Sequence, residues 1–471
     1  MIEERTEKTP LVKKIGLYFL GNFSTKIIGT LLIPLYAIYV KPAELGQIDL
    51  QQNIASIVSP IIVIGIWESI LKFGLSESDD GKSKVLNTTF FYVLISSAIS
   101  FFLILPVYLK IGYSPTLSFL YTLLIVSTPI YSVFQYYTRM YQQNKLFVKS
   151  SVISSIVRFI LLIGTIVIMN LGILGLILSL LGSQLFLVIY LWIGLKINAK
   201  IEKSEFDKLL LMKMLKFSFP LAINLISLWF LSGFTRMYIN YEYGSDANGI
   251  YTFGLQCASL ISMVGQVVNM ATLEETLSSK KENFASTFEN YTDKLISLFF
   301  DAAIIMMPTV SIFFILISKS SFSDSFLFVP ILVLNAIVVT VASSFNNVFQ
   351  YKGSTKYIFF TTVISAIVNI VMAVFLNKSY GIRGIVIAQL LGSISLLCIR
   401  YLLINKEIGY RFKYKDIIIS LILFLLASYF SLILNIYISI IFFGIFFIIL
   451  FLKNKKIIMY YYKKVCRLKK K

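Results

Sequence analysis

The sequence predicts an all-α polytopic membrane protein of about fourteen transmembrane helices, arranged as two parallel six-helix lobes plus two C-terminal helices. Three observations carry that expectation. Apolar runs of bilayer length recur along the whole chain. Lysine and arginine crowd alternate loops. The chain also repeats itself: the stretch from Lys13 to Pro60 returns from Lys216 onward. One offset of 203 positions pairs Lys13 with Lys216, Gly46 with Gly249, Ala55 with Ala258, Ser56 with Ser259 and Ser59 with Ser262. Each copy is a long apolar helix, a short turn ending in Gly, and a second helix with a polar stripe, without a gap.

Composition narrows the class further. Of 471 residues, 57% are hydrophobic and 14% charged, too little polar surface to cover a soluble core. The start, MIEERTEKTP, is mixed in charge, and the apolar run after it is longer than a cleavable leader needs, so it reads as a span that stays. A net charge of +20 would suggest nucleic acid on a soluble chain. Here the basic residues mark one side of a membrane, and no nucleic-acid partner is expected. Cys257, Cys398 and Cys466 fall in two spans and the tail, so no disulfide framework is expected. The absence of histidine removes His-metal sites and His acid/base chemistry; no metal site and no cofactor are expected.

In chain order, apolar segments run near 15–39, 47–71, 85–109, 115–138, 149–170, 172–195, 216–241, 249–273, 292–317, 325–350, 356–376, 381–404, 416–434 and 436–452. With the N-terminus inside, 35 of the 43 basic residues lie on the inner side, 5 in outer loops (Lys41, Lys110, Lys319, Lys378, Arg383) and 3 within spans. That asymmetry predicts two cytoplasmic termini and an even number of spans. The predicted organisation is a cytoplasmic tail 1–14, an N-lobe 15–195, a cytoplasmic linker 196–215, a C-lobe 216–404, two helices over 416–452 and a basic cytoplasmic tail 453–471. The repeat extends to VISSIVR (Val152–Arg158) against VISAIVN (Val363–Asn369), and GILG (Gly172–Gly175) against GIRG (Gly381–Gly384). Six spans per copy make the copies parallel about the membrane normal, with substrate expected between the lobes near the midplane. No segment is long and polar enough for a soluble catalytic domain.

Three basic residues stand inside apolar spans: Lys26, Arg158 and Arg236. A charge there costs roughly 2.5–3.5 kcal/mol on insertion scales unless it meets water or a partner. Snorkelling is the bland alternative, strongest for Arg236 near its helix end. Polar stripes suggest a wet interior. Asn22, Lys26 and Thr30 share one face of the first helix, and Asn224, Ser232 and Arg236 one face of the seventh. Asn53, Gln135, Gln256, Asn347 and Gln350 are further cavity-lining candidates. Single Ser and Thr residues are better read as hydrogen-bonding between helices. Asp301 lies mid-span and is a candidate for charge pairing or ion coupling; Glu68, one turn before Lys72, is expected to form a local ion pair with it.

The stretches LKFSFPLAIN and FTRMYINYEYGSDANGIYTFG, with PLYAIYVKPAELGQIDL in the first copy, resemble Wzx-type polysaccharide flippases. The likeness spans nearly the whole chain in a diffuse pattern of small and polar residues. It implies the multidrug/oligosaccharidyl-lipid/polysaccharide transporter fold in the bacterial inner (cytoplasmic) membrane. It implies, too, translocation of undecaprenyl-pyrophosphate-linked oligosaccharide for O-antigen, capsule or exopolysaccharide synthesis, with Lys26, Arg158 and Arg236 as the equivalents of a cationic lumen. Membrane lipid, a polysaccharide polymerase and chain-length machinery are the partners so implied; whether an H+ or Na+ gradient drives export is left open by the sequence.

The residues agree with that reading. A pyrophosphate needs positive charge in a water-lined cleft, and sugars suit amides, hydroxyls and the faces of 28 tyrosines. A drug or cation exporter of the same fold would want a carboxylate where the first helix has Lys26. A lipid II flippase fits the charges equally well. A membrane polymerase or ligase would need larger outer loops, and a purely structural protein leaves the polar stripes unexplained.

Overall fold

The computed structural model describes residues 28–75, 77–278, 284–351, 354, 356–433 and 435–449. No strand occurs among them. Eight of the described helices are long and apolar enough to cross a membrane, or nine when one bent pair counts as a single span. The predicted polytopic all-α class therefore holds. Lys26 and Asn22, the opening of the first repeat copy and the basic tail lie outside the described residues.

The chain divides into two compact units. The first comprises residues up to Phe253 together with Ile358–Gly392. Its helices are α1 (Ile28–Tyr39), α2 (Pro42–Ile62), α3 (Trp67–Gly74), α4 (Asp79–Ile111), α5 (Pro115–Met140), α6 (Asn144–Leu162), α7 (Ile173–Gly194) and α8 (Lys208–Ser232), followed by the start of α9 (Phe234–Ser278). α9 is two helices joined at Gly244, whose φ of 80° breaks the spiral. The second unit holds the rest of α9, then α10 (Phe284–Leu316), α11 (Val329–Ser344), α12 (Asn346–Tyr351), the end of α13 (Lys356–Ile408), α14 (Tyr414–Leu432) and α15 (Ile436–Ile449).

The helix starts carry recognisable signals. Pro42 opens α2 at a position where its missing N–H costs nothing, and Glu44 accepts from the Lys41 backbone N–H at 3.1 Å. The predicted turn before residue 47 is therefore only two residues long. Ser78, Ser114 and Asp207 cap α4, α5 and α8 through their side-chain oxygens. α8 consequently begins eight residues earlier than the predicted 216, inside what reads as a linker.

The breaks are less predictable. The single helix expected over 47–71 is α2 and α3 bent by 49°. Ile64 and Gly65 have φ of 51° and 56°, and the Gly65 N–H reaches back five residues to the Pro60 carbonyl. The predicted span 216–241 is likewise interrupted at Gly233, between α8 and α9. Two breaks do follow the repeat. Gly172 has φ 55°, ψ −130° and Gly381 φ 58°, ψ −141°. A Cβ would strain this backbone, which is why both copies place glycine there.

Inside the first unit, α3, α4, α5, α7 and α8 enclose an apolar core that includes Ile66, Ile70, Leu86, Phe134, Tyr137, Met140, Leu191 and Met214. In lipid, apolar burial gives little drive between helices, so close packing and hydrogen bonds hold them. The Tyr137 hydroxyl lies 2.8 Å from Thr89 Oγ1 and donates to the Leu86 carbonyl at 3.1 Å. Many Ser and Thr hydroxyls bond back to their own helix, as Ser56 does to Asn53 O, instead of crossing between helices. Crossing bonds exist as well: Ser154 donates to Ser183 O at 2.9 Å. In the second unit, Ser311 bridges to Ser431 O and Ser439, and buried Arg400 donates to Ala342 O at 2.7 Å.

Candidate substrate path

Three contacts at successive turns of α2 form a seam with α8 and α9, all within the first unit. Gly46, Asp49 and Asn53 recur at i, i+3 and i+7 and so share one helix face. At the top, α2 meets the second limb of α9 with glycine on both sides. A Cβ on Gly46 would overlap the Ser245 carbonyl oxygen, and one on Gly249 would overlap the Pro42 carbonyl oxygen. The repeat offset relates Pro42 to Ser245 and Gly46 to Gly249. The crossing is thus the same contact read from either copy, as at the axis of a two-fold dimer. Asn248 pins it by donating to Gly46 O at 2.9 Å.

One turn further along α2, Asp49 Oδ1 lies 3.3 Å from Arg236 Nη1. Asp49 Oδ2 and Arg236 Nε are both buried with no hydrogen-bond partner, so the fork-to-carboxylate geometry open to such a pair is only half used. Tyr251 lies within electrostatic reach of both charges and donates to Gln389 at 2.8 Å. Another turn along, Asn53 donates to Gly233 O at 2.8 Å while Trp229 Nε1 donates to Asn53 O at 2.9 Å. A side chain on Gly233 would press into Asn53 and Trp229. The break between α8 and α9 is therefore what lets the seam close.

A second polar patch lies on α5, α6 and α7. Arg158 stands about four turns into α6. Its Nε is buried and has no hydrogen-bond partner. Its charge reaches Tyr131, whose hydroxyl accepts from Gln135 Nε2 at 2.9 Å. One turn away on α5, Ser127 donates to Gln184 of α7 at 2.8 Å. Asn369, the repeat partner of Arg158, is fully buried and turns its amide toward Leu231 O and Thr235. The two copies thus keep the position polar, with charge in one only.

The remaining candidates separate. Thr30 and Asn224 are half-buried, and Thr30 has a partner. Gln256 is half-buried on α9 with its Oε1 unpartnered. Asn347 and Gln350 lie on α12, their side chains outside the described residues. Asp301 is buried in α10 and does not stand alone. The expected Glu68–Lys72 pair is replaced by other contacts. Glu68 Oε1 accepts from Tyr136 at 2.8 Å and from Trp67 at 3.2 Å, while Lys72 Nζ lies 3.9 Å from the Phe217 ring centroid. The helix break at Gly65 brings Glu68 against α5, where neutral donors satisfy it, and the ammonium takes an aromatic face instead.

Asp49 is the seam residue that the sequence shows only as part of a polar stripe at the outer edge of the second span. Its place on the Gly46–Asn53 face was visible; that the face meets Arg236 was not.

The family described as Polysaccharide biosynthesis protein matches residues 11–273, more than half of the chain. No curated protein matches the chain in sequence. Solved structures share the fold at low identity. The lipid II flippase MurJ in an inward closed conformation is 16% identical with TM-score 0.66, over 92% of this chain and 98% of that one. An inward-facing multidrug resistance MATE family transporter of the MOP superfamily is 14% identical with TM-score 0.64, over 83% and 98%. An outward-facing form of such a transporter is 16% identical with TM-score 0.55, over 84% and 96%. The resemblance is borne out at the level of the family: the chain belongs to the polysaccharide biosynthesis protein family, and it shares its fold with these solved structures.

Proposed function

We propose that the protein is a flippase that moves undecaprenyl-pyrophosphate-linked oligosaccharide repeat units across the bacterial inner membrane by alternating access. The product would feed O-antigen, capsule or exopolysaccharide synthesis. The observation that carries the reading is Arg158: a cation deep in an apolar helix, its Nε buried and unpartnered, within electrostatic reach of Tyr131, whose hydroxyl accepts from the Gln135 amide. A buried guanidinium edge left open invites an anion, and phosphate oxygens fit it. Sugars would be met by the amides and hydroxyls around it, and the polyprenyl tail would stay in the bilayer. Lys26 and Arg236 are proposed to complete the cationic path.

Both termini are proposed to be cytoplasmic, from the distribution of the 43 basic residues. An H+ or Na+ gradient would supply the energy, with Asp301 as the acid that pairs or couples. A polysaccharide polymerase and its chain-length machinery would act on the exported units. Cation export by the same fold is disfavoured, because Asp49 already faces Arg236 and Glu68 already holds two donors. The deciding experiment is gene deletion with analysis of lipid-linked oligosaccharide. Accumulation at the inner leaflet, reversed by the wild-type gene, is expected. Normal export in the deletion, or accumulation of lipid II in place of glycan repeat units, refutes the assignment.

A further inference from the structure

The seam is closed by one element of shape and one of charge. The glycine crossing lets α2 and the second limb of α9 touch, but van der Waals contact between two backbones discriminates little between small displacements. The Asp49–Arg236 pair, one turn away, is different. It joins α2 to the first limb of α9, on the other side of the Gly244 break. The pair is mostly shielded, with side-chain exposures of 12% for Asp49 and 28% for Arg236. Yet it is incomplete. Two of the atoms that a bidentate pair would use, Asp49 Oδ2 and Arg236 Nε, are buried and idle. Each partner thus keeps an unused site for something else.

We propose that the Asp49–Arg236 pair is the latch of the seam, and that the anionic head of the substrate opens it by drawing Arg236 away from Asp49. This rests on the flippase reading for the identity of the anion. The chemistry is shared: a carboxylate and a phosphate oxygen pair compete for the same guanidinium fork. A pyrophosphate carries more charge and more acceptor oxygens than one aspartate held at a single contact. Arg236 can face it in full only when the seam is parted. The anion therefore binds the parted state better, and that difference in affinity is what a ligand needs to shift a conformational equilibrium. Arg236 has two duties on this account: it holds the seam when the path is empty and meets the head group when it is filled. Tyr251, within electrostatic reach of both charges, is anchored on Gln389.

The test uses a buried reporter. Thr252 is 3% exposed and lies one turn below the Gly249 crossing. Thr252→Cys, in the full chain with Cys257→Ala, Cys398→Ser and Cys466→Ser, is reconstituted in lipid nanodiscs and treated with a membrane-impermeant maleimide. Asp49→Asn should raise the labelling rate about tenfold without any ligand. Gly249→Ala should raise it too, because its Cβ forces the two backbones apart, and so it confirms that the reporter responds. The exchanged pair Asp49→Arg with Arg236→Asp should label as slowly as the parent. Millimolar pyrophosphate should speed labelling of the parent but add little to Asp49→Asn, whose seam is already parted. Parent-like labelling of Asp49→Asn while Gly249→Ala labels fast overturns the latch. A parent that ignores pyrophosphate overturns opening by the anion. Neither outcome depends on whether deletion traps glycan at the inner leaflet, so failure of the latch and failure of the flippase reading are separable.

Discussion

Replacing Arg158 by methionine isolates the charge that the proposed function needs. Methionine keeps the length of the apolar stem, so packing on α6 changes little. The folded chain loses no hydrogen bond at Nε, because that atom has none. Removing an isolated charge from a mostly apolar helix should leave stability equal or slightly raised. Transport should respond differently. A charge-assisted hydrogen bond to a phosphate oxygen contributes about 1.5–3 kcal/mol, which corresponds to a ten- to 150-fold loss of affinity for the head group. At limiting substrate, export should fall by a similar factor. The assay is the initial rate of surface glycan appearance, at matched membrane levels of protein, with detergent thermal unfolding as the stability control. Arg158→Lys should retain part of the rate, since it keeps the charge but not the planar fork. Near-normal export from Arg158→Met at equal protein would refute the reasoning, and the cation would then be a packing feature of α6.

Asn53→Ala removes the amide that satisfies Gly233 O and should destabilise the protein by about 1–3 kcal/mol, seen as a lower unfolding temperature in detergent; an unchanged temperature would mean the seam does not rely on this bond. Tyr137→Phe should cost less, about 0.5–1 kcal/mol, because Thr89 Oγ1 keeps its bond to Val85 O. Reporter fusions address orientation: alkaline phosphatase should be inactive at Lys471 and active in the 242–246 turn, and the reverse pattern would invert the proposed topology. In a pump-deficient strain the chain should give no resistance to cationic dyes; a robust rise that depends on Asp301 would favour drug export.

Sequence by itself determined the class, the position of most spans and the existence of the repeat. The reason is that a bilayer imposes a local rule: every spanning backbone must bond to itself, and about 20 apolar residues suffice. Hydropathy and glycine placement therefore carry the information within short windows, and the Gly172 and Gly381 breaks fall where the repeat puts them. Arg158 was legible for the same reason, since a lone charge in an apolar window stands out. The tertiary structure decided which faces meet. It set Gly46 against Ser245 and Gly249 against Pro42, gave Arg236 to Asp49, and turned Glu68 from Lys72 to Tyr136. It also placed the helix breaks at Ile64–Gly65 and at Gly233. These outcomes depend on distant backbone coming within bonding range. A residue's own neighbours in sequence do not specify which partner an aspartate on one face will find 187 positions away, because that is settled by the packing of whole helices.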